Sequence, residues 1–168
     1  MSRAAAKIGS VPEIAAALNA ERCAGRTVAL ANGLFDVLHV GHVRYLQGAA
    51  EQADVLVVAV NSDDSARGLK GPDRPIVPED ERAEIVAGFA CVDFVVIFPE
   101  RDVSRVLEAL RPDVHCKGTD YTADTVPERE VARKIGARIA IVGDPKDHAS
   151  RDLIRRIREV HEHEGGGP

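Results

Sequence analysis

Apolar positions along this chain follow two rhythms. Short, nearly continuous runs rich in valine and isoleucine recur at residues 27–31, 55–60, 92–98, 114–116 and 138–142. Between them, apolar residues return every three or four positions. The first rhythm is that of strands and the second that of helices, so the chain reads as successive βαβ units. Strands that are apolar throughout, rather than alternating with polar residues, belong to a sheet covered on both faces. The right-handed crossover rule then predicts an α/β fold with a doubly wound parallel sheet of five strands, Rossmann-like in type.

The helical segments carry end signals. Ser10-Val11-Pro12-Glu13 combines an N-cap serine, an early proline and a capping-box glutamate, and Ile14 and Leu18 follow at i, i+4 spacing. A leading helix is expected there, with an apolar side that could serve a homodimer interface. Further helices are expected at 42–52, 79–89, 103–110 and 127–135. Near the end, Leu153, Ile154, Ile157 and Val160 fall on one stripe opposite Arg155, Arg156 and Arg158, the pattern of a surface helix docked on the sheet. Charges at 161–164 read as a solvated helix face, and 165–168 as a frayed tail. The longest irregular stretch is 62–78, where Gly68, Gly71, Pro72, Pro75 and Pro78 surround Lys70 and Arg74. A long loop after the second strand lies where α/β sheets bind ligands. The expected organisation is a leading helix and approach at 1–26, one domain at 27–160 and a tail at 161–168.

Composition narrows the function classes. A length of 168 residues, with 45% hydrophobic and 29% charged residues, suits one ordinary globular domain. Apolar runs are too short to span a bilayer, and the first ten residues lack the hydrophobic stretch of an export signal, so a cytoplasmic protein with no membrane partner is expected. With 22 basic and 27 acidic residues the net charge is -5, which offers a polyanion no general attraction and argues against nucleic acid as a partner. Three cysteines without C-x-x-C spacing suggest neither a disulfide framework nor zinc, and read as small buried filler.

Candidate chemistry concentrates at the junction of the first strand and the next helix, in Asn32-Gly33-Leu34-Phe35-Asp36-Val37-Leu38-His39-Val40-Gly41-His42. His39 and His42 stand at a helix start, where free backbone N–H groups and the helix dipole favour phosphate, and Gly41 lets the backbone come close to a ligand. The same dipole disfavours protonated imidazole, so positively charged histidines there would need the ligand's own phosphates. Neither a Walker A sequence nor G-x-G-x-x-G occurs, which removes the signatures of P-loop hydrolysis and dinucleotide binding, and no third zinc ligand accompanies the histidine pair. The isolated histidines 115, 148, 161 and 163 read as ordinary caps or surface groups.

The run Gly33-x-Phe35-Asp36-x-x-His39-x-Gly41-His42 resembles the H-x-G-H signature of the cytidylyltransferase-like nucleotidyltransferases, over about residues 27–157. Within that superfamily, the segments beginning at Asn32, Val60, Leu69, Arg74 and Lys117 are most similar to the nucleotidyltransferases of ADP-heptose synthesis. The chain resembles the transferase unit alone, with no sugar-kinase domain before it. The resemblance implies transfer of a nucleotidyl group, AMP from ATP, to heptose 1-phosphate with release of pyrophosphate. CTP with glycerol 3-phosphate, and a binding module without turnover, remain as alternatives.

By the same resemblance His39, His42, Lys70 and Arg82 are the catalytic cations. Asn32, Gly33, Phe35, Asp36, Gly41, Asn61, Asp63, Lys117, Gly118, Asp120, Ser150 and Arg151 are expected to bind the nucleoside triphosphate and the small phosphorylated substrate. No residue is expected to hold a metal of its own, and Mg2+ is expected to arrive on the nucleotide phosphates. One departure stands out. The family's Ser-Thr-Thr run, whose hydroxyls contact phosphate, corresponds here to Ala149-Ser150-Arg151. Ser150 is expected to keep one hydroxyl at a helix N-cap, while Arg151 either supplies a charged fork or blocks the contact.

Overall fold

The computed structural model describes residues 3–145 and 150–164, with side chains described as far as residue 160. Five parallel strands form one sheet: β1 (Val28–Gly33), β2 (Val55–Asn61), β3 (Phe94–Phe98), β4 (Val114–Gly118) and β5 (Arg138–Val142), in the order β3-β2-β1-β4-β5. The helices are α1 (Val11–Cys23), α2 (Val40–Ala50), α3 (Asp63–Lys70), α4 (Glu79–Ala87), α5 (Ser104–Leu110), α6 (Arg129–Ile135) and α7 (Ser150–Glu164). The doubly wound order reverses between β1 and β4, and that reversal opens a crevice at the strand ends.

Every residue of β2 is buried, as the unbroken apolar run requires of a central strand. The sheet divides the core in two. One side packs Leu46, Leu56, Val58, Val86 and Val95 beneath α2 and α4, and the other packs Leu18, Leu30, Val57, Leu107 and Leu110 beneath α1 and α5. Close approach of α2 to the end of β5 depends on two glycines. A Cβ on Gly48 would meet Val142 at 3.2 Å, and one on Gly143, which is at φ +92°, would meet Tyr45 Cα at 3.3 Å.

The leading helix is capped as its sequence indicates, with Ser10 and Glu13 bonded reciprocally, and its first-turn proline is in place. Its apolar side is not free for an interface, because Ile14 and Leu18 are buried in the core. Residues before the expected boundary at 27 therefore belong to the domain, and Gly9 N also donates to Val95 O at 3.1 Å. Irregular structure between 62 and 78 is confined to its second half. Ser62 accepts from Ser65 N, Asp63 and Asp64 fill the first turn, and Arg67 and Lys70 the last, so α3 forms where glycine and proline density suggested a loop. The last helix is not docked on the sheet as expected. Leu153, Ile157 and Val160 are exposed, and α7 runs on past residue 160 without a break. Residues 165–168 and Ala149 lie outside the described residues, as does His148. Cys116 is buried and Cys91 packs partly buried against the core, but Cys23 is exposed, so the filler reading fails for Cys23. Among the described residues no helix is long and apolar enough to cross a membrane.

Leu30 on β1 is completely buried between the sheet and the α1–α5 layer. Leu30→Ala should cost about 3 kcal/mol of stability by the transfer and cavity terms together. Urea unfolding checks this; a loss under about 1 kcal/mol would mean that the layer collapses onto the vacated space.

Candidate active site

An open cavity of about 840 Å³ occupies the crevice at the C-terminal ends of β1 and β4. Its floor is the turn from β1 into α2. Phe35 and Val37 both adopt φ +52°, a left-handed conformation that costs a non-glycine residue of order 1–2 kcal/mol and is rarest for β-branched side chains. The turn is held from several sides. Arg82 Nη1 donates to Leu34 O at 2.5 Å. The buried Asp36 carboxylate accepts from Arg74 Nε at 2.6 Å, Ile76 N at 3.0 Å and Val77 N at 3.0 Å. Ser150 Oγ donates to Asp36 O at 2.8 Å and Val37 O at 3.1 Å. The Phe35 ring folds back on Gly33, 3.2 Å from where a Cβ would stand, so a side chain there would press on the ring.

This turn delivers His39 as the N-cap of α2 and His42 one turn in, both on the cavity wall. Their ring centroids are 4.0 Å apart. His39 N donates to His42 Nδ1 at 3.3 Å, so Nδ1 acts as an acceptor and the hydrogen of the neutral ring resides on Nε2 as a donor. Burial, and next the adjacent His39, lower the His42 pKa from its ordinary value to about 4. In the free protein His42 is thus a neutral hydrogen-bond donor at the positive end of a helix.

A buried polar network forms part of the cavity wall. Asn32 Oδ1 accepts from Lys117 Nζ at 3.1 Å and lies 3.3 Å from His115 Nε2. Lys117 also pairs with the buried Glu128 carboxylate at 3.1 Å. His115, which reads as a surface group from sequence, is fully buried on β4, and burial depresses its pKa to about 3. Tyr45 ties α2 to β4 through a hydroxyl bond to Cys116 O at 3.0 Å, and burial raises its pKa.

The remaining expected residues divide into two groups. Asn32, Gly33, Phe35, Asp36, Gly41, Asn61, Lys70, Lys117, Gly118, Asp120, Ser150 and Arg151 line the cavity with the two histidines. Lys70 reaches it from the end of α3 and Arg151 from the second residue of α7. Arg82 and Asp63 do not line it. Arg82 is fully buried, with Nε on Val77 O at 2.8 Å and Nη2 on Asp63 Oδ1 at 2.8 Å, so its charge holds the turn instead of meeting the cavity. Ser150 begins α7 but spends its hydroxyl as a donor to the turn, where an N-cap role would make it an acceptor.

A family model described as cytidylyltransferase-like matches residues 30–161. The chain belongs to the cytidylyltransferase-like family. It is 46% identical over 153 residues to the bifunctional protein HldE of Geotalea uraniireducens, covering 91% of this chain and 31% of that protein. The protein of the same name from Syntrophotalea carbinolica is 43% identical over 145 residues, covering 86% of this chain and 30% of its own length. The chain therefore spans about a third of the length of these relatives. Among solved structures, the lipopolysaccharide core biosynthesis protein of Thermoplasma volcanium GSS1 superposes with a TM-score of 0.63 at 28% identity, over 73% of this chain and all of that one. Family membership makes this protein a nucleotidyltransferase.

Several parts of this cytidylyltransferase-like site escaped sequence reasoning. Tyr45 carried an available signal, because it follows His39 and His42 on one helical stripe. Glu128 carried none, since only the approach of α6 (Arg129–Ile135) to β4 gives it Lys117 as a partner.

The histidine shifts have a consequence for pH. Unfolded, His42 takes up a proton near its ordinary value of 6.5, whereas folded it does so only near 4. Between those values the unfolded chain binds more protons, so stability should be undiminished above pH 6.5 and decline as pH falls toward 4. His42→Gln should make the fall of Tm with acidification shallower, as read by calorimetry between about pH 7 and 4.5. Parallel curves for the two proteins would show that His42 is not held neutral by the fold.

Proposed function

We propose that this protein transfers AMP from ATP to heptose 1-phosphate, releasing pyrophosphate and forming ADP-heptose. The observation that carries the reading is the convergence on one cavity of His39 and His42 at the start of α2, Lys70 from α3 and Arg151 from α7. The HldE relatives, the solved lipopolysaccharide core biosynthesis protein and the segments at Asn32, Val60 and Lys117 support a sugar acceptor of that class.

The chemistry asks little of a proton acceptor. The nucleophile is a phosphate oxygen, ionised near neutral pH because the second phosphate pKa is about 6. The protein's task is to hold two anionic substrates together and stabilise the charge that expands at the α-phosphorus. His42 Nε2–H, the amides opening α2, Lys70 and Arg151 supply donors for that charge, each worth about 3 kcal/mol in comparable sites. Magnesium carried on the triphosphate would neutralise part of its charge. Three acids on the cavity wall are already engaged within the protein: Asp36 by the 74–77 backbone and Arg74, Glu128 by Lys117 and Asp144 by Arg44. Among the described residues no three His, Cys, Asp or Glu side chains converge as ligands.

The test is pyrophosphate release with ATP, CTP, GTP and UTP offered against heptose 1-phosphate, glycerol 3-phosphate and other small phosphates. ATP with heptose 1-phosphate should lead by kcat/KM, and preference for CTP with glycerol 3-phosphate would overturn the reading. His42→Ala should lower kcat by at least about 100-fold without unfolding the protein. Near-normal turnover in that variant would take the histidine out of the reaction. Arg151→Ala should lower kcat and kcat/KM together if its charge meets the transition state, and Arg151→Thr should recover part of the loss. Kinetics unchanged within about twofold in both would make Arg151 a solvated helix charge.

A further inference from the structure

Ser150 sits where the family resemblance places a phosphate-binding hydroxyl, yet its Oγ is bonded to two backbone carbonyls, Asp36 O at 2.8 Å and Val37 O at 3.1 Å. A serine hydroxyl has one hydrogen, and here the two carbonyls share it. Those carbonyls belong to the part of the chain least able to hold its own conformation. Val37 is β-branched and left-handed at φ +52°, and Phe35, two residues earlier, has the same φ. Two residues beyond Val37 the chain reaches His39. Among the described residues, the other side-chain restraints on the turn act at Leu34 O and at the Asp36 side chain, and neither reaches the Val37 peptide. Ser150 does so from 113 residues away in sequence. Beyond Ser150 on α7, Leu153, Ile157 and Val160 of the apolar stripe are exposed.

We propose that Ser150 is a positioning residue: its hydroxyl latches the first turn of α7 to the left-handed Phe35–Val37 turn and so sets His39 and His42 for phosphate. The latch links two walls of the cavity. Arg151 is the next residue, so an anion drawn to its guanidinium is drawn to a helix end already fastened to the histidine loop. Strain at Val37 and the bond from Ser150 oppose one another, and removing either should change the need for the other.

This separates the latch from a direct phosphate contact. A contact to phosphate acts only with nucleotide present, whereas the latch acts in the free protein. Amide hydrogen exchange of residues 35–39 in the nucleotide-free protein should quicken about tenfold in Ser150→Ala and stay near normal in Ser150→Thr. The kinetic arm rests on the proposed transfer reaction. There Ser150→Ala should lower kcat about tenfold while the nucleotide KM stays within about twofold. Adding Val37→Gly, which adopts a positive φ freely, should return most of that loss relative to Val37→Gly alone. Unchanged exchange in the free Ser150→Ala protein overturns the latch. So does a raised nucleotide KM that Val37→Gly fails to recover, because the hydroxyl then meets the phosphate itself. If the unaltered protein releases no pyrophosphate with any substrate pair, the proposed function falls and the exchange measurement alone decides the latch.

Discussion

The cavity depends on a backbone conformation that its own residues disfavour. Between β1 and α2 the chain must turn sharply enough to aim the opening amides of α2 at the crevice, and it does so with Phe35 and Val37 both left-handed. Local preference cannot hold such a turn, so distant groups hold it: Arg82 from α4, the 74–77 backbone through Asp36, and Ser150 from α7. Each restraint comes from a different element. The turn is therefore a product of the assembled domain, and strain stored there is offset by bonds formed elsewhere.

Charge is arranged in two layers around that turn. Nearest the cavity are groups that can change partners: the neutral His42, the exposed Lys70 and Arg151. The more deeply buried charges are already matched, Lys117 and Glu128 within the cavity wall and Arg82 behind it. Arg82 meets Asp63 and two carbonyls, and Lys117 meets Glu128 and Asn32. Buried ion pairs contribute little net stability once desolvation is counted, but losing one partner is costly. The matched layer therefore fixes geometry, while the front layer stays available to a polyanion. A net charge of -5 is compatible with such a site because attraction is local, supplied by a helix end and a few cations and not by the protein as a whole.

Much of the cavity lining is legible in the residues alone. His39 and His42 announce themselves by spacing at a helix start, and Asn32, Lys70, Lys117, Asp120 and Arg151 all reach the same cavity. Roles are less legible than membership. Arg82 and Asp63 belong to the site's support and not to its wall, Asp36 spends its carboxylate on backbone amides, and Ser150 donates to carbonyls. A residue type shows what a side chain can bond, but its partner depends on which element packs opposite. His115 illustrates this most plainly, since an isolated polar residue in an apolar run gives no sign that Asn32 will meet it across β1 and β4.

By itself the sequence determined the five strands, most of the helices between them and the location of the turn that carries His39 and His42. These rest on short-range periodicity and on end signals a few residues long, such as the reciprocal Ser10–Glu13 cap. Helix 63–70 also has local end signals, obscured by the glycines and prolines around it, whereas tertiary structure alone decided that α1 would pack inward and α7 would not, and which charges would face the cavity. The physical reason is range. Helix and strand periods are written in neighbouring residues, whereas the left-handed turn at Val37 survives only through bonds to groups about 40 to more than 110 residues away, and those partners exist only once the sheet has brought the strand ends together.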